Sequence, residues 1–142
     1  MTIATVLARK GHEVETIAPA ASLREVVGLL GQRRIGALPV VDDSGVAGIV
    51  SERDLIYALR DHGPDVLDWP VARIMSAPAL TVESGLPILS ALVLMTERRI
   101  RHLPVVEDGR LVGIVSIGDL VKRRMEQMEA DAEAMLSYIQ AG

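Results

Sequence analysis

Two serine–aspartate pairs are the residues best placed to do chemistry in this chain. "GIVSERDL" (Gly48–Leu55) carries Ser51 and Asp54, and "GIVSIGDL" (Gly113–Leu120), 65 residues later, carries Ser116 and Asp119. Ser-x-x-Asp directly after an apolar stretch is a helix capping box, worth about 1 kcal/mol with no ligand involved. The same geometry also exposes free N–H groups at the positive end of a helix dipole, a ready site for an anion. A carboxylate in that first turn can accept both hydroxyls of a vicinal diol such as a ribose. "ALPVV" and "HLPVV" upstream offer aliphatic walls and spare backbone groups for a flat purine. Cap and ligand site are both open at this point.

Other chemistries lack their residues. His12, His62 and His102 are far apart with no metal-ligand spacing, cysteine is absent, and no Walker lysine follows a glycine-rich loop. Neither serine has a histidine near it in sequence, so no nucleophile is expected. No metal is expected either, beyond Mg carried by a nucleotide. A net charge of -4 with two tyrosines, one tryptophan and no phenylalanine argues against nucleic acid. The longest apolar run, "GLPILSALVLM", is too short to span a bilayer. Arg9 and Lys10 follow the first apolar stretch, the reverse of a secretory signal. The expectation is a cytoplasmic protein with no membrane contact.

The elements that must hold these residues come as a tandem repeat. Of the 23 positions in Arg33–Leu55, 14 are identical to their counterparts in Arg98–Leu120 without a gap. Each copy reads as strand, helix, strand, strand, helix. Val14–Ile17 and Leu80–Val82 are the first strands. Leu23, Val26, Val27 and Leu30 lie at helical spacing behind Ser22, and Ile88, Ala91, Leu92 and Met95 repeat the pattern. "LPVV" and "GIV" flank turn-forming residues and predict a hairpin. The fold class is therefore α+β: two repeats, each a small three-stranded sheet with packed helices (β-α-β-β-α), plus a long C-terminal helix. Residues 1–70 hold an N-terminal helix and repeat 1 (core 14–60). Residues 71–142 hold repeat 2 (core 78–121) and the last helix, and Asp61–Pro70 reads as the linker. Along the last helix Val121, Met125, Met128, Ala132, Met135 and Ile139 form a heptad-like seam. It reads as a homodimer contact, the alternative being packing onto its own domain.

The doubled G-h-h-S-x-x-D motif, with h-P-V-V upstream, resembles a tandem pair of CBS domains, the Bateman module, over Val14–Leu120. "RIGALPVV", "SERDL", "RIRHLPVV" and "VSIGDLVK" are similar to those of small stand-alone bacterial proteins of two CBS repeats. The resemblance implies a pseudo-two-fold, disc-like pair with two clefts for adenosine-containing ligands. AMP is the first candidate, with ATP, NAD or S-adenosylmethionine as the others. It implies that Asp54 and Asp119 hold ribose hydroxyls beside Ser51 and Ser116. Thr16, Thr81 and the Ala37-Leu38-Pro39 and His102-Leu103-Pro104 backbones would frame the base. Arg53, Arg101 and His102 would meet phosphate.

For Arg33, Arg34, Arg98 and Arg99, a helix C-terminus favours cations without any ligand. Arg53 corresponds to Gly118, Gly36 to Arg101 and Ala37 to His102, so the two clefts are not expected to be equal. The expected function is non-catalytic and regulatory, with the output passed to another, unidentified effector protein. Two alternatives are a ligand-free dimerising interaction module and an S-adenosylmethionine sensor.

Overall fold

The computed structural model describes all 142 residues. Helix α1 (Ile3–Lys10) is followed by α2 (Leu23–Arg33), the hairpin β1 (Ala37–Asp42) and β2 (Gly45–Ser51), and α3 (Glu52–His62). The second repeat follows the same order with α4 (Ile88–Arg98), β3 (His102–Glu107), β4 (Arg110–Ser116) and α5 (Ile117–Ala141). Ser22 caps α2 by accepting the Glu25 N–H, as its position before the apolar periodicity predicts. Both hairpins pair antiparallel in the same register, Ala37 with Ser51 and His102 with Ser116, with a bulge after Val40 and after Val105.

The first strand of each repeat is shorter than its β-branched residues predict. It is reduced to a single parallel bridge, Ile17 with Val40 and Val82 with Val105. The Ile17 N–H donates to the Pro39 carbonyl and the Ile17 carbonyl accepts from the Val41 N–H, and Val82 does the same between Pro104 and Val106. Proline has no N–H to extend the ladder, and these bonds use its carbonyl instead.

The apolar residues sort into two cores, and each recruits a segment that leads into the other repeat. Ile3, Val6 and Leu7 of α1 are buried with Ile88, Met95, Leu103 and Leu120 of repeat 2. Val66 and Val71, between the repeats, are buried with Leu23, Val26, Leu38 and Val50 of repeat 1. The expected linker is thus a folded 3₁₀ turn (Pro64–Asp68) whose next residue, Trp69, accepts the Leu23 N–H through its carbonyl. A two-stranded hairpin with its helices buries too little apolar surface alone, so each half closes with a borrowed segment.

Gly48 and Gly113 sit where these borrowed segments cross the hairpins. A Cβ at Gly48 would lie 2.7 Å from the Ser76 carbonyl oxygen, which already accepts the Ile49 N–H. At Gly113 it would meet only the Leu7 side chain, also at 2.7 Å, whose methyl groups can turn aside. Gly48→Ala is therefore expected to cost about 2 kcal/mol of unfolding free energy, and Gly113→Ala measurably less. Urea denaturation of the two variants checks the order.

Candidate functional site

Both capping boxes form. The Ser51 hydroxyl accepts from Asp54 N–H while Asp54 Oδ2 accepts from Ser51 N–H at 2.9 Å, opening α3. Ser116 and Asp119 make the same exchange at the start of α5, with 2.8 Å for the returning bond. Each box stands at the edge of a cavity, and each cavity is built from both repeats.

The Asp54 cavity, about 320 Å³, combines Ile49, Ser51, Arg53 and Asp54 of repeat 1 with Ser76, Pro78–Leu80 and Arg98–His102 of the second half. The Asp119 cavity, about 830 Å³, combines Ile114, Ser116 and Asp119 with Lys10, Glu13–Glu15 and Arg33–Ala37 of the first half. The lining segments correspond at the 65-residue offset. Ala37 and His102 line both cavities, so the clefts share a wall. At that wall Gly36 leaves room for its neighbours: a Cβ there would lie 2.6 Å from a Glu52 carboxylate oxygen and 3.0 Å from the His102 ring.

Arg34 and Arg99 end α2 and α4 in the left-handed conformation, each with φ of 54°. A non-glycine residue adopts this at a cost of about 1 kcal/mol. The reversal turns the chain after Arg33 and Arg98 so that Arg34–Ala37 and Arg99–His102 run from the helix ends along the two cavities. These arginines line the clefts, although their placement at helix C-termini gives a reason for them without a ligand. The signal available in the sequence was the repeat offset, which carries each arginine pair onto the other.

Among the residues expected at the site, Ala37, Ser51, Arg53, Asp54, Arg101 and His102 line the Asp54 cavity. Ala37, His102, Ser116 and Asp119 line the other. Thr16, Thr81, Leu38, Pro39, Leu103 and Pro104 line neither. Leu38 and Leu103 are core residues with no exposed surface, and the two proline carbonyls are engaged by the first-strand bridges. Lys10, Glu13, Glu15 and Ser76 also line the clefts, and no motif in the sequence points to them because they lie in the segments ahead of each hairpin.

Charge distinguishes the two carboxylates. Lys10 Nζ donates to Asp119 Oδ2 at 2.7 Å and to the Ile114 carbonyl at 2.9 Å. Burial works to raise the Asp119 carboxyl, but the bonds from Lys10 and Ser116 outweigh it and hold the group below its ordinary value. Asp54 has no cation at ion-pair distance; besides its own cap it receives the Ser76 hydroxyl, at 3.4 Å. Arg53 reaches across its cavity to donate to the Arg99 carbonyl at 2.9 Å. No group of acidic, histidine or cysteine residues is arranged to hold a metal ion, and no helix is long and apolar enough to cross a membrane.

Comparison with known proteins agrees with this geometry. The profile of the CBS domain matches residues 8–61 and 71–126. The CBS domain-containing protein YhcV of Bacillus subtilis is 32% identical over 83% of this chain and 84% of its own length. The crystal structure of the CBS-domain containing protein ATU1752 from Agrobacterium tumefaciens superposes with a TM-score of 0.83. It is 40% identical and the match covers 87% of this chain and 92% of that one. The CBS domain pair of protein MJ0100, solved with 5′-methylthioadenosine and S-adenosyl-L-methionine, shares the fold at TM-score 0.78 and 24% identity. That match covers 89% of this chain and 98% of the other.

The shared wall gives a pH dependence. Burial first, then the positive charges of Arg101 and Lys10, push His102 below its ordinary value, against the opposing pull of Glu52 and Asp119. An unfolded histidine titrates near 6.5, so below that pH the unfolded chain binds more protons at this residue than the native one. Its contribution to stability is intact above about pH 6.5 and is lost as the pH falls below it. His102→Gln is expected to flatten the decline in stability between about pH 7 and 5, and an NMR titration of the His102 ring in the native protein should give a midpoint below about 6.5.

Proposed function

Because the chain belongs to the CBS-domain family, we propose that it is a non-catalytic regulatory module. It binds an adenosine-containing nucleotide between its repeats and passes the signal to a partner protein. The observation that carries this reading is the doubled cleft. Twice, a capped carboxylate at a helix N-terminus faces a pair of arginines across a cavity walled partly by aliphatic side chains. The carboxylate suits ribose hydroxyls, the arginines suit phosphate, and Ile49 or Ile114 suits the face of a purine. MJ0100, with its two adenosine-type ligands, supports the ligand class. AMP is the first candidate, with ATP, NAD and S-adenosylmethionine as the others. Binding across two repeats favours one mutual arrangement over another, in proportion to the difference in affinity for the two.

The module acts as a homodimer. On α5 the seam residues Met125, Met128, Met135 and Ile139 are each more than half exposed, and every residue from Met128 onward is exposed. A second copy of the same helix is the partner whose heptad spacing matches. The assembly is cytoplasmic.

Two measurements test this. A thermal-shift series over AMP, ADP, ATP, NAD and S-adenosylmethionine is expected to raise the melting temperature with at least one ligand, by mass action. At least one of Asp54→Ala and Asp119→Ala should remove that shift. A flat series would leave the ligand-free docking module as the function. For the oligomer, Met128→Glu combined with Met135→Glu is expected to halve the mass seen by light scattering without lowering helix content. An unchanged mass would place the dimer contact elsewhere.

A further inference from the structure

The two clefts are built from equivalent segments, yet their charges have diverged. The Asp54 cavity is lined by Arg53, Arg98, Arg99 and Arg101 against Asp54 alone, four positive charges to one negative. None of these arginines makes a salt bridge: the chain's ion pairs all lie elsewhere. The Asp119 cavity has Lys10, Arg33 and Arg34 against Glu13, Glu15 and Asp119, three to three. There Arg33 is paired with Glu15 at 3.0 Å and Lys10 with Asp119 at 2.7 Å. The larger cavity is thus the charge-balanced one, and the smaller holds the unpaired positive charge.

The divergence at the carboxylate comes down to one position. At the repeat offset Lys10 corresponds to Met75. Met75 lies with its sulfur against Gly48 and leaves Asp54 without a cationic partner. Lys10 instead neutralises Asp119 and is tied down a second time by the Ile114 carbonyl. A diol approaching Asp119 meets a carboxylate whose Oδ2 already accepts from the Lys10 ammonium and the Ser116 N–H, whereas Asp54 carries no cation and its Oδ1 receives only the 3.4 Å contact from the Ser76 hydroxyl.

From this we infer that each chain binds a single phosphate-bearing adenosine nucleotide, in the Asp54 cleft, and that Lys10 closes the Asp119 cleft to ribose. The inference rests on the nucleotide reading above. The four arginines favour an anionic ligand, which sets adenosine and the cationic S-adenosylmethionine apart from AMP or ATP. Because the arginines are exposed, their attraction is screened by salt.

Isothermal titration of the full-length chain with Mg-free ATP, with AMP and with adenosine tests it. The expected stoichiometry is one ATP per chain, with adenosine at least tenfold weaker and ATP affinity falling as salt is raised. Asp54→Asn should abolish binding. Should that variant unfold, Arg98→Gln combined with Arg101→Gln alters only exposed side chains and should weaken ATP at least tenfold. Lys10→Met, which copies the counterpart residue, should open a second and weaker site. Two ATP per chain in the wild type, full binding by a folded Asp54→Asn, equal affinity for adenosine, or one site retained in Lys10→Met would each overturn the inference while leaving nucleotide binding in place. Absence of heat with every nucleotide would instead overturn the proposed function, and this inference with it.

Discussion

Everything in this fold depends on the exchange of leading segments between the two repeats. A hairpin and its helices cannot bury enough aliphatic surface to be stable, and this chain has no phenylalanine to enlarge either core. Repeat 2 is completed by Ile3, Val6 and Leu7, which precede repeat 1. Repeat 1 is completed by Val66 and Val71, which precede repeat 2. Removing either segment would expose leucines and valines in a core to which it does not belong in sequence. Each repeat therefore depends on a segment that leads into the other.

The exchange also makes the clefts. Each borrowed segment runs past a hairpin where it joins its core, and it passes beside a capping box. Ser76 pairs with Ile49 through the backbone next to Asp54. In the other half Lys10 and His12 reach the carbonyls of Ile114 and Val112 through their side chains. The same crossing therefore leaves one carboxylate open and the other neutralised. Duplication supplied the scaffold, and substitutions at Lys10/Met75, Gly36/Arg101 and Ala37/His102 supplied the difference between the clefts. His102 belongs to both, so a ligand on one side contacts a wall of the other.

The capping boxes, the hairpins, the N-terminal helix, the heptad-like seam of α5 and the doubling itself are all legible in the order of residues. Each is governed by neighbours within about four positions in the chain, or by a pattern that recurs at a constant offset. The first strands are shorter than the sequence predicts, because β-branched residues favour extended backbone but do not decide how much of it finds a partner. The linker is folded where its Pro and Gly predict an open connection, because Val66 between them finds a place in the repeat 1 core.

Lys10 beside Asp119, the arginine pairs turned into the cavities and the folding of each leading segment into the opposite core required the packed chain. These contacts join residues roughly forty to over a hundred positions apart, and no local preference encodes such a distance. They exist because two small apolar surfaces each had to find cover, and the only cover of the right size lay at the entrance to the other repeat.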